Sequence, residues 1–288
     1  MMFFLLEYVV LRLAYLLVTI ARTTGDHPRM TDTSGRQPNT TTHTIDDTTA
    51  GRGGAADRST TGSLSDATSH GPFNISEQEI YERLHRLRRD VPSSTILDQP
   101  PRIPELTGRL TLRMADPTTE DPKTVSRWMN RPHLVETWEQ PWPADQWKRD
   151  WEAKLSGTYS VPLIILLDGE ECGYMEIYRP HRDEIGRVYD SRFHDLGFHV
   201  AVGDGAKTGH GVFPPLLMNL CDELIATNPP SDLIVVEPDY RNERLPRIAL
   251  MNDWVDGGER QQRADRRVHL LGYAKTDEAR ERVLAGKE

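Results

Sequence analysis

His199 sits inside DLGFHVAV (195–202), an alternating run that reads as a strand, and Asp239 closes a second apolar run, DLIVVEPD (232–239). Ligand sites in sheets built from such runs gather beyond the carboxyl ends of the strands. If the two strands are neighbours, His199 and Asp239 meet at a cleft, and an imidazole beside a carboxylate there can take a proton from an attacking amine. The competing readings are a structural histidine and an Asp239 that caps the following helix together with Asn242. Between the two runs lies VGDGAKTGHGVFPPLL (202–217), a glycine-rich loop that opens a helix. Unsatisfied N–H groups and the positive dipole end at a helix start can bind phosphate. Gly209 and Gly211 let a ligand approach the backbone, and Lys207 and His210 add charge or donors. An ordinary strand-to-helix connection is the alternative. Glu176, in GYMEIY, alternates away from Met175 and either meets an amine or lies on a solvated face. Trp138 and Trp142 either line a pocket or belong to the core. Arg241 either meets a phosphate or carboxylate or forms a surface ion pair.

The elements that must position these residues follow from pattern. SEQEIYERLHRLRRD begins a helix with the Ser76/Glu79 capping box and sets Ile80, Leu84 and Leu87 on one face. A proline-rich arm follows. GRLTLRMA is a strand. TEDPKTVSRWMN and PADQWKRDWEAKLSG are helices joined by RPHLVETWEQPW. YSVPLIILLD and ECGYMEIYRP form a hairpin about Asp168-Gly169, because Asp-Gly supplies the positive φ angles such turns need. After DLGFHVAVGD come the helix VFPPLLMNLCDELIAT, the strand DLIVVEPD, the helix NERLPRIALMN and a last strand, DRRVHLLGYA. The order β, α, α, β, β, β, α, β, α, β means an α+β chain with a mixed central sheet and flanking helices.

The chain divides into an apolar segment at 1–22, a Thr-, Ser- and Gly-rich stretch at 23–72 read as disordered, a helix and extended arm at 73–107, a catalytic-type domain at 108–276 and a tail at 277–288. The segment 1–22 holds Glu7 and Arg12, each costly in a bilayer. It reads as a membrane anchor, as translated upstream sequence with initiation near Met30, or as a buried helix. Lys and Arg number 35 against 44 Asp and Glu, a net charge of −9. That balance excludes the basic footprint of a nucleic-acid binder. The two cysteines, Cys172 and Cys221, match no metal spacing, so no metal site is expected, and a reducing, cytoplasmic setting fits.

WMNRPHL, GTYSVPLI, GYMEIY, YDSRFHDLGFHVAVGD and VEPDYRN, in this order from about Gly108 to Tyr273, resemble the siderophore-biosynthesis acyltransferases of the Gcn5-related N-acetyltransferase (GNAT) superfamily. The resemblance implies that superfamily's fold, with strands splayed around 198–203 and 234–238. It implies transfer of a medium- to long-chain fatty acyl group from a coenzyme A or acyl-carrier-protein thioester to the ε-amine of a lysine in a mycobactin-type siderophore. Acetyl or succinyl transfer to an N-hydroxylated amine of another siderophore, and a non-catalytic binding member, are the alternatives. It further implies that His199 contacts substrate, that Asp239 is the proton acceptor, and that Trp138, Trp142 and Glu176 line the acceptor site. Val200, Val202 and Asn242 would hold the pantetheine arm, and the loop with Lys207, Gly209, His210 and Gly211 its phosphate. The expected partners are a siderophore precursor and an acyl carrier protein, in a monomer or small homo-oligomer with no tightly bound cofactor. The family loop usually has a small residue where Phe213 stands and a basic one where His210 stands. That departure favours a carrier-bound donor with one phosphate over a nucleotide.

Overall fold

The computed structural model describes residues 72–203, 205 and 213–286. The segments 1–22 and 23–71 and the loop residues Lys207, Gly209, His210 and Gly211 lie outside the described residues.

Helix α1 (Glu77–Arg83) starts where the Ser76 hydroxyl accepts the Glu79 N–H at 3.3 Å. Ile80 and, just past the helix, Leu84 and Leu87 are buried. Strand β1 (Leu110–Met114) leads to three helices, α2 (Asp121–Met129), α3 (Pro132–Trp138) and α4 (Ala144–Leu155). The hairpin β2 (Ser160–Leu167) and β3 (Glu170–Tyr178) turns on Asp168 and Gly169, whose φ angles of 53° and 81° are those a type I′ turn requires. Two short 3₁₀ turns, Pro180–Arg182 and Glu184–Arg187, precede β4 (Leu196–Val202). The chain continues through α5 (Phe213–Thr227), β5 (Leu233–Val236), α6 (Arg244–Leu250), the hairpin β6 (Val255–Arg263) and β7 (Arg266–Ala274), and α7 (Asp277–Leu284).

Among the described residues seven strands form one mixed sheet, ordered β1-β2-β3-β4-β5-β7-β6. Only β4 and β5 run parallel; the other neighbours are antiparallel. Alternation sends successive side chains to opposite faces. On one face Met175, Ile177, Leu196, Phe198, Ile234 and Val236 pack with Leu220, Cys221 and Leu224 of α5. On the other, Tyr174 and Ala201 meet Val125, Trp147 and Trp151 of α2 and α4. Beside them Tyr178, Val235 and Leu270 meet Ile80 of α1 and Val283 of α7.

Three elements differ from the sequence reading. The connector RPHLVETWEQPW folds as α3, a single short helix with Pro132 in its first turn and Leu134 and Trp138 one turn apart. Between the helix NERLPRIALMN and the last strand the sequence reading placed no element, yet VDGGERQQR forms β6, an edge strand whose residues are mostly charged or polar, so no apolar alternation marks it. The stretch read as a tail contains α7, capped by the Thr276 hydroxyl on the Ala279 N–H at 3.1 Å, with Ala279, Arg282 and Val283 buried. No helix of the described residues is long and apolar enough to cross a membrane.

Candidate active site

Strands β4 and β5 pair only at Leu196↔Ile234 and Gly197↔Val235. Beyond that point β4 continues to Val202, while β5 stops at Val236 and the chain turns away through Pro238. Gly203 N–H donates to the Cys172 carbonyl of β3's edge at 2.8 Å. Backbone groups alternate sides along an antiparallel ladder. The N–H and C=O groups of Phe198, Val200 and Val202 therefore face the parting, and the Val202 carbonyl there lies 3.5 Å from His133 Nε2. A cavity of about 620 Å³ fills the parting. Its walls come from both faces of the sheet: Phe198, Val200, Leu217 and Trp254 on one, His199, Trp138 and Glu237 on the other.

The register sets His199 opposite Glu176 and Gly197 opposite Tyr178. Gly197 leaves room for the Tyr178 ring, which stacks on the His199 ring with centroids 4.6 Å apart. His199 Nδ1 lies 3.4 Å from Glu176 Oε2 and Nε2 2.5 Å from Glu237 Oε1. Glu176 also accepts from Lys154 Nζ at 2.5 Å and Tyr174 OH at 2.6 Å, and Lys154 Nζ lies 2.7 Å from Asp150. Glu237 also accepts from Tyr178 OH at 2.7 Å and from Arg86 at 3.1 Å. The side chains Arg86, Glu237, His199, Glu176, Lys154 and Asp150 thus form a chain of alternating charge. Its buried members are mutually compensated, as burial of ions demands.

These neighbours set protonation. Burial favours a neutral His199, but the charge of Glu237 and the hydrogen bonds to both carboxylates outweigh it and hold the imidazole above its usual range. Burial likewise opposes ionisation of Glu237, yet the charges of His199 and Arg86 and the Tyr178 hydroxyl bring it down to about 2. Glu176 is held low against burial by Lys154 and His199. Asp150 is pushed up by burial and by Glu176, against the pull of Lys154. With a carboxylate oxygen facing each ring nitrogen, these neighbours favour the imidazolium form of His199.

The carboxylate on the His199 ring is Glu237, not the expected Asp239. Val235 lies beside Gly197, so parity keeps Glu237 on the face of His199. Asp239 lines the same cavity but is engaged by Arg241: Nε at 2.7 Å, Nη2 at 2.9 Å and the Arg241 backbone N–H at 3.0 Å. Those hydrogen bonds hold the Asp239 carboxyl below its usual range. Arg241 thus forms the ion pair and reaches the Glu136 carbonyl at 2.9 Å. Asp239 does not cap α6; Asn242 does, its Oδ1 accepting the Leu245 N–H at 3.2 Å while its side chain lines the cavity. Trp138 lines the cavity with its ring 5.9 Å from His199. Trp142 does not; it packs 5.0 Å from Trp147 beside a small separate recess. Glu176 is buried, so the solvated-face reading fails, and the ammonium it meets is Lys154. Val200 and Val202 line the parting. Among the described residues no group of three or more His, Cys, Asp or Glu side chains is placed to hold a metal.

Glu237, Arg86, Tyr178 and Lys154 escaped the sequence reading. Alternation along β3 places Tyr178 on the face of Glu176, but only the register between strands brings it and Glu237 to His199. Arg86 and Lys154 arrive from distant segments and carry no local signal.

A family model described as the acetyltransferase (GNAT) domain matches residues 117–262. The lysine N-acyltransferase MbtK of Mycobacterium tuberculosis (strain ATCC 25618 / H37Rv) is 39% identical over 166 residues, 58% of this chain and 78% of that protein. MbtK of Mycobacterium sp. (strain MCS) is 37% identical over 176 residues, 61% and 71% of the two chains. The N-hydroxyputrescine acetyltransferase of Acinetobacter baumannii is 32% identical over 121 residues, 41% and 57% of the two. Among solved structures, an uncharacterised protein of Bacillus halodurans superposes with a TM-score of 0.54 at 22% identity, covering 60% of this chain and 87% of the other. AAC(6')-Ib in complex with paromomycin and acetyl-CoA gives 0.51 at 21% identity, covering 61% and 97%. At such identities the structures speak for the fold alone. With the sheet parted between β4 and β5, the family match and the MbtK relatives all in agreement, the chain belongs to the GNAT acetyltransferase family and is an MbtK-like acyltransferase.

Proposed function

We propose that this protein moves a medium- to long-chain fatty acyl group from a coenzyme A or acyl-carrier-protein thioester to the ε-amine of a lysine in mycobactin-type siderophore assembly, in the cytoplasm. The observation that carries the reading is one cavity joining the open edge of β4 to His199 and Asp239. Its apolar part, with Phe198, Leu217, Ile248 and Trp254, suits an acyl chain. Its polar part suits an amine. The similarity to MbtK supports lysine as acceptor. Both cysteines are buried thiols outside any disulfide, in keeping with a reducing compartment.

The Val200 N–H, facing the parting, is the donor for the thioester carbonyl as it gains negative charge. His199, a cation held between carboxylates, disfavours a second cation beside it and so drives the incoming ammonium to release a proton. Asp239 accepts it. Its partner Arg241 has a side chain 55% exposed and can leave without burying a bare charge, whereas Glu237 is locked among buried partners. The N–C bond forms and the C–S bond breaks; the nitrogen then sheds its second proton to the leaving thiolate, and Asp239 returns the first to solvent. Trp138 closes the amine side, and the loop with Lys207, Gly209, His210 and Gly211 is assigned the phosphate on sequence grounds.

The test is thiol release and mass-detected acyl-amine with purified protein. Donors are acetyl-, lauroyl- and palmitoyl-CoA and the matching acyl carrier proteins; acceptors are lysine, N6-hydroxylysine and the siderophore core. Long-chain acyl-lysine is the expected product. Absence of any acylated lysine, free or within the core, overturns the reading, and preference for acetyl-CoA with the hydroxylated amine replaces it by the alternative.

A further inference from the structure

The family match begins at residue 117, yet a side chain from well before it reaches the site. Just past α1 the chain is pinned beside the 3₁₀ turns. Leu84 and Leu87 are buried, Leu87 bridges Asp183, the Glu184 N–H donates to the Arg86 carbonyl at 3.1 Å, and the Arg88 N–H donates to the Arg182 carbonyl at 2.8 Å. This fixes the Arg86 guanidinium, which lies 3.1 Å from Glu237 Oε1, 3.3 Å from Glu184 and 3.5 Å from Asp183. Glu237 Oε1 is also the oxygen bonded to His199 Nε2. Arg86 borders both the main cavity and the small recess behind His199.

We infer that Arg86 is a positioning residue of the active site, holding the Glu237 carboxylate against His199, so that the working catalytic unit starts in the segment before the matched domain. This builds on the proposed function. Glu237 and Asp183 are fully buried and Arg86 is their shared cation. Around the same centre stand Glu176, Tyr174 and Tyr178 of β3, Lys154 and Asp150 of α4, Tyr159, Glu184 of the 3₁₀ turn, and Asp239 with Arg241. None of the other cations touches Glu237 except His199 itself. Removing the Arg86 charge leaves His199 as the sole cation on that oxygen, and its proton is held more tightly.

Arg86→Met and Arg86→Gln in the full chain test this, with Arg86→Lys as the conservative variant. The His199 ring is followed by NMR across pH, assigned against His199→Gln, beside thermal unfolding and the pH profile of kcat/KM. The neutral variants are expected to fold, with the His199 midpoint raised by about 0.5 pH unit or more and the falling limb of the profile moved with it; Arg86→Lys should return both most of the way. A folded neutral variant with an unmoved midpoint overturns the inference. Should neither neutral variant fold, Arg86→Lys decides: its single ammonium cannot reproduce the fork, so a kcat lowered about fivefold or more at unchanged KM is expected, and unchanged kcat overturns the inference. The NMR titration needs no turnover. A wild type that acylates nothing defeats the functional reading, and an unmoved titration defeats this one, as separate results.

Discussion

Protonation of His199 and Glu237 ties the stability of the protein to pH through a single hydrogen bond. Glu237 titrates at about 2 in the folded chain against an ordinary 4.5, so its contribution is complete above the ordinary value and is lost as pH falls towards the folded one. His199 is raised above its ordinary 6.5, so its contribution is complete below that value and is lost as pH rises through the folded one. Thermal unfolding should therefore show this cluster at full strength between the two ordinary values, with decline on either side. Glu237→Gln should remove the acid-side decline due to this pair and lower stability by about 3–5 kcal/mol in denaturant titrations, because it takes away the buried carboxylate that Arg86 and His199 share. Asp239→Asn should behave differently: its partner is exposed, so melting should change little while kcat falls about 10²–10⁴-fold in the thiol-release assay. Unchanged turnover would remove Asp239 from the mechanism.

At the scale of the elements, the parting of β4 from β5 makes the site, and Gly197 sits at its apex. A Cβ there would lie 2.5 Å from the Tyr178 ring. Gly197→Ala should push Tyr178 off its stack on His199, so activity should fall at least about tenfold even where the protein remains folded by circular dichroism, since small misplacements at a reacting centre are costly. Much of this architecture was legible. The Asp168-Gly169 turn announced its hairpin, alternation marked β1 and β4, an apolar run marked β5, and the placement of His199 and Asp239 near strand ends sent both to one cavity. What escaped had physical causes. Strand α/β pattern says which residues share a face of one strand but not its register with the next, so Glu237 was passed over for Asp239. Helix α3 is too short for periodicity to show, and edge strand β6 carries charge where a core strand carries apolar groups. Arg86 and Lys154 join the site only through tertiary packing.

For the whole molecule, the far end of the chain secures the near end of β4. Arg282 of α7 lies 2.8 Å from both oxygens of Asp195, the residue preceding β4, and 2.8 Å from Asp232, which precedes β5. Helix α7 therefore pins the two strands where they still pair, below the point at which they part. Arg282→Met leaves Asp195 buried without its cation and should cost about 3–5 kcal/mol by urea unfolding; a loss below about 1 kcal/mol would show that α7 is dispensable. The cavity in the parting reaches both faces of the sheet. Under the proposed function the sheet is a partition with one gap, the acyl chain lying against one face and the amine against the other, and the two meet only at the gap. Neither has to pass the other, so neither has to come first. Initial-rate plots at several fixed concentrations of the second reactant should intersect, and either product should inhibit without the other being present.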